Sequence, residues 1–117
     1  MTGWFELSKN KDNQFRFVLK AANSEIILIS ELYLTKASAE NGIVSVRANC
    51  ETDARYELMN SKNGQFYFNL KAANQQIIGT SEMYQSEKAR EIGIATVRVN
   101  GKTMTVKDLT LGLRDAA

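Results

Sequence analysis

Acidic residues recur at a fixed spacing in this chain, and the resulting carboxylate pairs are the first candidates for chemistry. Glu6 and Glu57 are 51 residues apart, as are Glu31 and Glu82. Two carboxylates that approach each other and hold different pKa values can act as a general acid and a general base. The ordinary alternative is that each carboxylate is solvated at a strand edge or accepts a hydrogen bond in a turn. Both interpretations stay open at the level of sequence.

The other reactive side chains are few. The chain has no histidine and one cysteine, which excludes the usual zinc ligand sets and the Ser-His and Cys-His nucleophile arrangements. Cys50 stands in the polar segment NCETDAR without a neighbouring base to lower its pKa, so we expect an unreactive thiol. We predict no catalytic, cofactor-binding or metal-ligating residue and no cofactor.

Basic residues recur with the same spacing, at predicted strand ends and in the last turns of predicted helices. The four cations are Lys20, Lys71, Arg47 and Arg98. Brought to one surface, they would contact an anion or a nucleic-acid backbone. Tyr67 and Trp4 would add stacking surface, although Arg55 replaces Trp4 in the second half. Alternatively, the arginines complement the helix dipoles and the lysines keep the strand ends soluble.

Composition is typical of a globular protein that works without a membrane. The apolar share is 44%, the charged share is 24% and the net charge is +2, too small to indicate a nucleic-acid or membrane partner. The longest apolar run, from Ile26 to Ile29, is far shorter than a membrane span. With a single cysteine and no basic, apolar leader, we expect a cytoplasmic protein.

These candidates are positioned by an internal duplication. A shift of 51 residues aligns residues 5–49 with 56–100 without a gap, and 22 of the 45 positions are identical. Chance does not produce such a match, so the chain is a tandem repeat. Common descent alone preserves shared residues, and identity between the repeats therefore does not mark a site.

The second strand of each repeat carries the clearest pattern. Alternation places two phenylalanines and a leucine on one face in each copy, and we expect four buried rings: Phe15, Phe17, Phe66 and Phe68. A turn at Ala21-Ala22-Asn23 follows, with Asn23 able to adopt the left-handed conformation. The third strand runs from Ile26 to Ser30.

A helix completes each repeat, because apolar positions then recur at i, i+4 and i+7. Thr35 and Ser86 are the expected N-caps, and the helices should end at Asn49 and Asn100. Each helix contains an interior glycine, Gly42 or Gly93, at a cost of about 1 kcal/mol relative to alanine. We expect this glycine to allow close contact between the helix and the aromatic strand.

The predicted fold is α+β, with two tandem β-β-β-α repeats related by a pseudo-twofold axis and an antiparallel sheet with one helix packed per repeat. We predict the first repeat over residues 1–51, the second over 52–101, and a C-terminal extension over 102–117 that is poorly ordered from Leu111. One repeat alone buries too little surface to be stable. Since the two copies can cover each other, we expect a monomer.

The segments WFEL, QFRFVLKA, ISELY, NGIVSVR and QFYFNLKAAN resemble the YegP-like family of small bacterial proteins. The resemblance covers residues 3 to about 108. It implies an α+β fold of two β-β-β-α repeats, and it implies no activity, because the family is uncharacterised.

Two functional hypotheses follow. The first is a non-enzymatic binding or accessory module that acts through a polar or basic surface, with a weakly bound anionic or nucleic-acid ligand. The alternative is a small-molecule or enzymatic site in the groove between the repeats. Ionisable groups clustered in a concave cavity would favour the second hypothesis, and a flat, filled interface would favour the first.

Overall fold

The chain folds into a seven-stranded sheet with two helices packed on one side. The computed structural model describes residues 3–110. Its strands are β1 Trp4–Lys9, β2 Phe15–Lys20, β3 Ile26–Ser30, β4 Tyr56–Asn60, β5 Phe66–Lys71, β6 Ile77–Thr80 and β7 Val106–Asp108, and its helices are α1 Lys36–Asn49 and α2 Glu87–Asn100. A 3-10 turn, Asp53–Arg55, joins α1 to β4. The predicted order β-β-β-α is confirmed in both repeats.

The strand order is β4-β5-β6-β3-β2-β1-β7. The two repeats meet at the centre of the sheet, where β3 and β6 pair antiparallel. All other neighbours are antiparallel as well, except β7, which runs parallel to β1. The extension was not predicted to contain a strand, yet it supplies β7. The predicted poor order from Leu111 concerns residues outside the described range.

The apolar core lies between the helices and one face of the sheet. Phe17 and Phe68 are fully buried, as predicted. Phe15 and Phe66 are only half-buried, so the prediction of four buried rings is wrong for these two. They are the first residues of β2 and β5, and a cation lies over each ring in place of apolar cover.

Both helices begin and approach the sheet as their sequences predict. The Thr35 hydroxyl accepts a hydrogen bond from the Ser38 N–H at 3.1 Å, and the Ser86 hydroxyl accepts one from the Ala89 N–H at 3.0 Å. A Cβ added at Gly42 would lie 2.5 Å from the Tyr33 hydroxyl oxygen and 2.8 Å from the Phe17 ring. The expected close contact is therefore confirmed, and the tyrosine after β3 contributes to it.

The turn between β2 and β3 differs from its prediction. The residues with positive φ are Ser24 at 74° and, in the second repeat, Gln75 at 75°, rather than the asparagine before each. Asn23 instead uses its side-chain oxygen to accept a hydrogen bond from the Glu25 N–H at 3.1 Å. An asparagine side chain stabilises a turn in this way without taking the left-handed conformation itself.

Three residues contact their own counterparts 51 positions later. Ile29 pairs directly with Thr80 across the β3–β6 junction, Leu28 packs over Gly79, and Cys50 packs against Gly101. In the last two cases a larger residue stands against a glycine. A Cβ added at Gly79 would lie 2.9 Å from Leu28 Cγ, and one at Gly101 would lie 2.7 Å from Cys50 Sγ. The repeats are therefore complementary, rather than identical, where they meet.

Among residues 3–110, neither helix is long and apolar enough to cross a membrane.

Candidate functional site

The sheet face opposite the helices is left uncovered by the described residues. The strand register places one residue from each strand in a row across this face: Lys107, Glu6, Val18, Ile29, Thr80, Asn69 and Glu57. Residues two positions along the same strands flank the row: Trp4, Ser8, Arg16, Lys20, Met59, Tyr67 and Lys71. We call this set the open face. Strands of both repeats contribute side chains to it together.

In the second repeat the open face carries a continuous chain of hydrogen bonds. The Thr80 hydroxyl donates to Asn69 Oδ1 at 2.8 Å, and Asn69 Nδ2 donates to Glu57 Oε1 at 3.0 Å. The Lys71 ammonium donates to Glu57 Oε2 at 3.0 Å. The hydrogen bonds from Asn69 and Lys71 lower the pKa of Glu57. Asn69 is only 6% exposed, so these bonds satisfy an amide that is almost withdrawn from water.

The first repeat uses the same positions differently, with apolar Val18 and Ile29 at the centre of the row. Polarity is confined to its outer end. The Trp4 indole N–H donates to Glu6 Oε2 at 2.8 Å, and the Lys20 ammonium lies 3.2 Å from Glu6 Oε1. The hydrogen bond from Trp4, followed by the contribution of Lys20, lowers the pKa of Glu6 below its usual value despite partial burial. The open face is thus half apolar and half hydrogen-bonded.

Of the two interpretations left open for Glu6 and Glu57, the structure excludes their approach to each other. These carboxylates stand on β1 and β4, five strand spacings apart, or about 24 Å. Equivalent residues of the two repeats meet at the β3–β6 junction and where the helix ends pack together, whereas both glutamates are on outer strands of their repeats. Glu31 and Glu82 line separate clefts.

The four predicted cations lie on two sides of the sheet. Lys20 and Lys71 are both on the open face, each paired with the glutamate of its own repeat. Arg47 and Arg98 lie in the last turns of the helices. The structure therefore brings the lysines to one surface and leaves the arginines on the helix side.

Each arginine also has partners of its own. Arg47 Nε donates to the Thr103 carbonyl at 2.8 Å, and its guanidinium lies 5.5 Å from the centre of the Phe5 ring. Arg98 forms an ion pair with Asp53, and its guanidinium lies 5.8 Å from the centre of the Tyr56 ring. These contacts tie the end of each helix to the segment that follows the other helix and to the first strand of its own repeat.

Two clefts, which sequence reasoning missed, lie where the helix of one repeat meets a strand turn of the other. The first cleft, of about 430 Å³, is formed by α1 and the β5–β6 turn, and the second, of about 320 Å³, by α2 and the β2–β3 turn. They join residues far apart in sequence, so no local motif marks them. The sequence feature that could have indicated the clefts is a tyrosine and a glycine repeated in each copy, Tyr33 with Gly42 and Tyr84 with Gly93.

Each cleft holds few ionisable groups. The first contains Glu31 and Tyr33, and the second contains Glu25 and Tyr84. Burial, with a smaller contribution from nearby glutamates, raises the pKa of both tyrosines above the usual value. Their hydroxyl groups therefore stay protonated at neutral pH. Neither tyrosine is tuned toward neutral pH, as a general acid or base would be.

Cys50 is fully buried at the end of α1, although the segment NCETDAR that contains it is polar. Its side chain packs against Gly101, where the ends of the two helices meet. Burial raises the pKa of the thiol, which agrees with the predicted lack of reactivity.

The chain matches the model of a domain of unknown function, DUF1508, over residues 10–57 and again over 61–108. The two matches are 51 residues apart, the same period as the repeat. Among curated proteins, it is 64% identical to the UPF0339 protein YegP of Escherichia coli K12, over 94% of this chain and all of that protein. It is 64% identical to a UPF0339 protein of Acinetobacter baylyi, over 94% of this chain and 99% of that protein.

Two solved structures share the fold. The solution NMR structure of E. coli yegP, described as a protein of unknown function, superposes with a TM-score of 0.90 at 64% identity, covering 94% of this chain and 95% of that one. The solution NMR structure of a UPF0339 protein of Shewanella oneidensis superposes with a TM-score of 0.90 at 60% identity, covering 95% of this chain and 94% of that one. None of these relatives has an assigned function. The chain belongs to the DUF1508 family, as a tandem member of the UPF0339 group that includes YegP.

Proposed function

We propose that this protein is a non-enzymatic binding module whose ligand lies across the open face. The observation that carries this proposal is the uncovered, seven-stranded surface with polar, aromatic and basic side chains from both repeats. A sheet without a second layer on one face is common where that face meets water or a partner. The tyrosines of the two clefts have pKa values moved away from neutral pH, which favours binding over acid–base catalysis.

The charge of the open face favours an anionic ligand. It carries four basic side chains, Arg16, Lys20, Lys71 and Lys107, against the two glutamates of the row, so its balance of +2 equals the net charge of the chain. An ammonium group has three donors, so each ion-paired lysine can also reach a phosphate oxygen.

The spacing of the lysines indicates an extended ligand. Lys20 and Lys71 stand on β2 and β5, three strand spacings or about 14 Å apart. A polyanion such as single-stranded nucleic acid spans this distance, whereas a single phosphate does not. Arg47 and Arg98, the other two predicted contacts, can reach the same ligand only where it passes round the end of the sheet. The lysine pair is therefore the sharper test.

The test is a fluorescence anisotropy titration with a labelled single-stranded oligonucleotide and, separately, with a soluble polyanion, at low and moderate salt. We expect modest affinity that falls steeply with salt, because counterion release from a few phosphates drives the binding. Lys20→Ala/Lys71→Ala should weaken binding. It should also reduce the salt dependence of the affinity by the amount expected for the loss of about two phosphate contacts.

The matched control is Lys62→Ala/Lys88→Ala, which removes the same charge from exposed sites away from the open face. If both double variants lose affinity equally, net charge rather than the open face governs binding. Absence of binding at low salt would refute an anionic ligand.

A small-molecule site is the second candidate, supported by the lining of the first cleft. Neutral hydrogen-bonding side chains converge there: Ser38, Asn41, Ser45, Asn74 and Gln76. The equivalent positions on α2 in the second cleft are less polar, with Ala89 and Ile92 in place of Ser38 and Asn41. Native mass spectrometry of protein purified at gentle salt, compared with Ser45→Phe to fill the cleft, tests this candidate. A retained small molecule that is absent from the variant would support it.

We also propose that the repeats, residues 1–51 and 52–101 with the extension 102–117, form a cytoplasmic monomer with a pseudo-twofold axis through the β3–β6 junction. The support is the set of contacts between counterparts, Ile29 with Thr80, Leu28 with Gly79 and Cys50 with Gly101. In a twofold arrangement, only residues close to the axis meet their own equivalents.

A further inference from the structure

The outer strands of the two repeats have different surroundings. β1 is covered by β7, which pairs Phe5 with Val106, Glu6 with Lys107 and Leu7 with Asp108. β4 is its counterpart in the second repeat, and no described strand pairs with its outer edge. Leu7 is consequently 1% exposed, whereas its equivalent Leu58 is 59% exposed.

The outer edge of β4 also has backbone groups without strand partners among residues 3–110. In β1 the Phe5 N–H points outward and donates to the Thr105 carbonyl at 3.0 Å. Because backbone groups alternate in direction along a strand, the N–H and C=O groups of Leu7 also point outward. The N–H and C=O groups of Leu58 point outward from β4 in the same way. The Tyr56 N–H is bonded to the Asp53 carbonyl of the preceding turn. The vacant hydrogen-bonding position is therefore centred on Leu58.

A cleft of about 450 Å³ adjoins this edge, lined by Asp53, Tyr56, Leu58, Glu91, Ile94 and Arg98. Ile94 is half-buried there, while its counterpart Ile43 is buried in the first repeat. We propose that the outer edge of β4 binds an extended segment of a partner protein, which runs parallel to β4 in the position that β7 takes beside β1. Strand addition to an exposed sheet edge is an established mode of peptide recognition.

The occupied edge of β1 indicates the chemistry of the partner. Asp108 of β7 forms an ion pair with Lys36 at the start of α1, at 2.5 Å. The residue equivalent to Lys36 is Glu87, of opposite charge. Glu87 already lies 3.8 Å from Arg90, and its carboxylate is exposed. A segment beside β4 would therefore form a further ion pair with Glu87 if it carried a basic residue where β7 has Asp108.

The position before Asp108, occupied by Lys107, also favours a basic residue in the partner, here on the other face of the sheet. Lys107 pairs in register with Glu6, and its charge contributes to the lowered pKa of that carboxyl. Glu57 is the equivalent acid in β4. The partner segment thus has an apolar residue in the place of Val106 and basic residues in the places of Lys107 and Asp108.

The β7 strand of the same chain does not supply this segment. β7 lies six strand spacings from β4, about 29 Å. The β7 of a second copy would place Asp108 against Glu87, and like charges would oppose each other. A partner with two adjacent basic residues avoids this repulsion.

The test uses two labelled peptides with the sequence of residues 103–110, one native and one carrying Asp108→Lys. They are titrated by anisotropy against the full chain and its Glu87→Lys variant. On the wild type we expect the lysine peptide to bind about threefold more tightly than the native one, and the order to reverse on Glu87→Lys. An exposed ion pair changes affinity by about this factor. Amide NMR shifts should centre on Leu58.

Three results of the peptide titrations would overturn the proposal. They are no binding of either peptide at about 1 mM, a preference that ignores residue 87, and NMR shifts confined to β1. A concentration-dependent dimer that Leu58→Asp abolishes would also refute it, since the edge would then belong to a second copy. Leu58 is exposed, so this variant should fold.

Discussion

The indole hydrogen bond from Trp4 is the largest influence on the pKa of Glu6, a carboxylate of the open face. The Trp4 N–H donor and the Lys20 ammonium both favour the charged form of Glu6, and they lower its pKa against the effect of partial burial. A carboxyl whose pKa is lower in the folded state stabilises the fold above its unfolded pKa, and this contribution is lost as pH falls through the folded value.

Trp4→Phe should therefore raise the pKa of Glu6 toward its usual value of about 4.3 and shift acid unfolding to higher pH, because the indole donor is lost while an aromatic ring is kept. Carboxyl ¹³C NMR titration measures the first effect, and circular dichroism against pH measures the second. Glu57 has no tryptophan neighbour and serves as the internal reference. An unchanged Glu6 titration would show that the neighbouring lysines, rather than the indole, lower its pKa.

Phe17 is a second residue whose environment yields a prediction. Its ring is fully buried, with the Phe5 ring at 5.7 Å and the Tyr33 ring at 6.3 Å. Phe17→Ala should lower the free energy of unfolding by about 3–5 kcal/mol through lost burial and a new cavity. Phe15→Ala, on the same strand but half-buried, should cost clearly less. Urea unfolding of both variants checks this, and equal losses would contradict the burial described for Phe15.

At the level of elements, the features that could be predicted are those that depend on residues close in sequence. Strand alternation around Phe17 and the hydroxyl caps Thr35 and Ser86 depend on short spacings, and they predicted β2 and the helix starts. The place of β7 beside β1 joins residues about 100 positions apart, and Val106–Asp108 is too short to show a period. The open face and the clefts were missed for the same reason, because they form only when both repeats are assembled.

The β3–β6 junction gives a prediction at this scale. Leu28 occupies space that a side chain at Gly79 would otherwise fill. Gly79→Leu should therefore cost about 1–3 kcal/mol by overpacking, and Leu28→Ala about 2–5 kcal/mol by leaving a cavity. The double variant should lose less than the sum, since the new leucine fills the cavity from the neighbouring strand. Additive losses in urea unfolding would show that the two side chains do not share one space.

For the whole molecule, the duplication predicts a monomer, because one chain provides both halves of the central sheet. Sedimentation equilibrium at about 100 μM should give the chain mass of 13.1 kDa. A stable species of twice that mass would contradict the prediction. Repeating the run with Leu58→Asp would then show whether the outer edge of β4 forms the contact.

The central β3–β6 pair also sets an order of events during synthesis. β3 is complete at Ser30, but its neighbour β6 begins only at Ile77, so the ribosome must add nearly fifty residues before the junction can close. Throughout that interval the first repeat carries an unpaired inner edge and an unfilled position beside Leu28. Unpaired edges in incomplete chains promote association between molecules. The glycine at position 79 gives the second repeat of the same chain a matching surface, which another nascent first repeat, with its own leucine at that position, does not have.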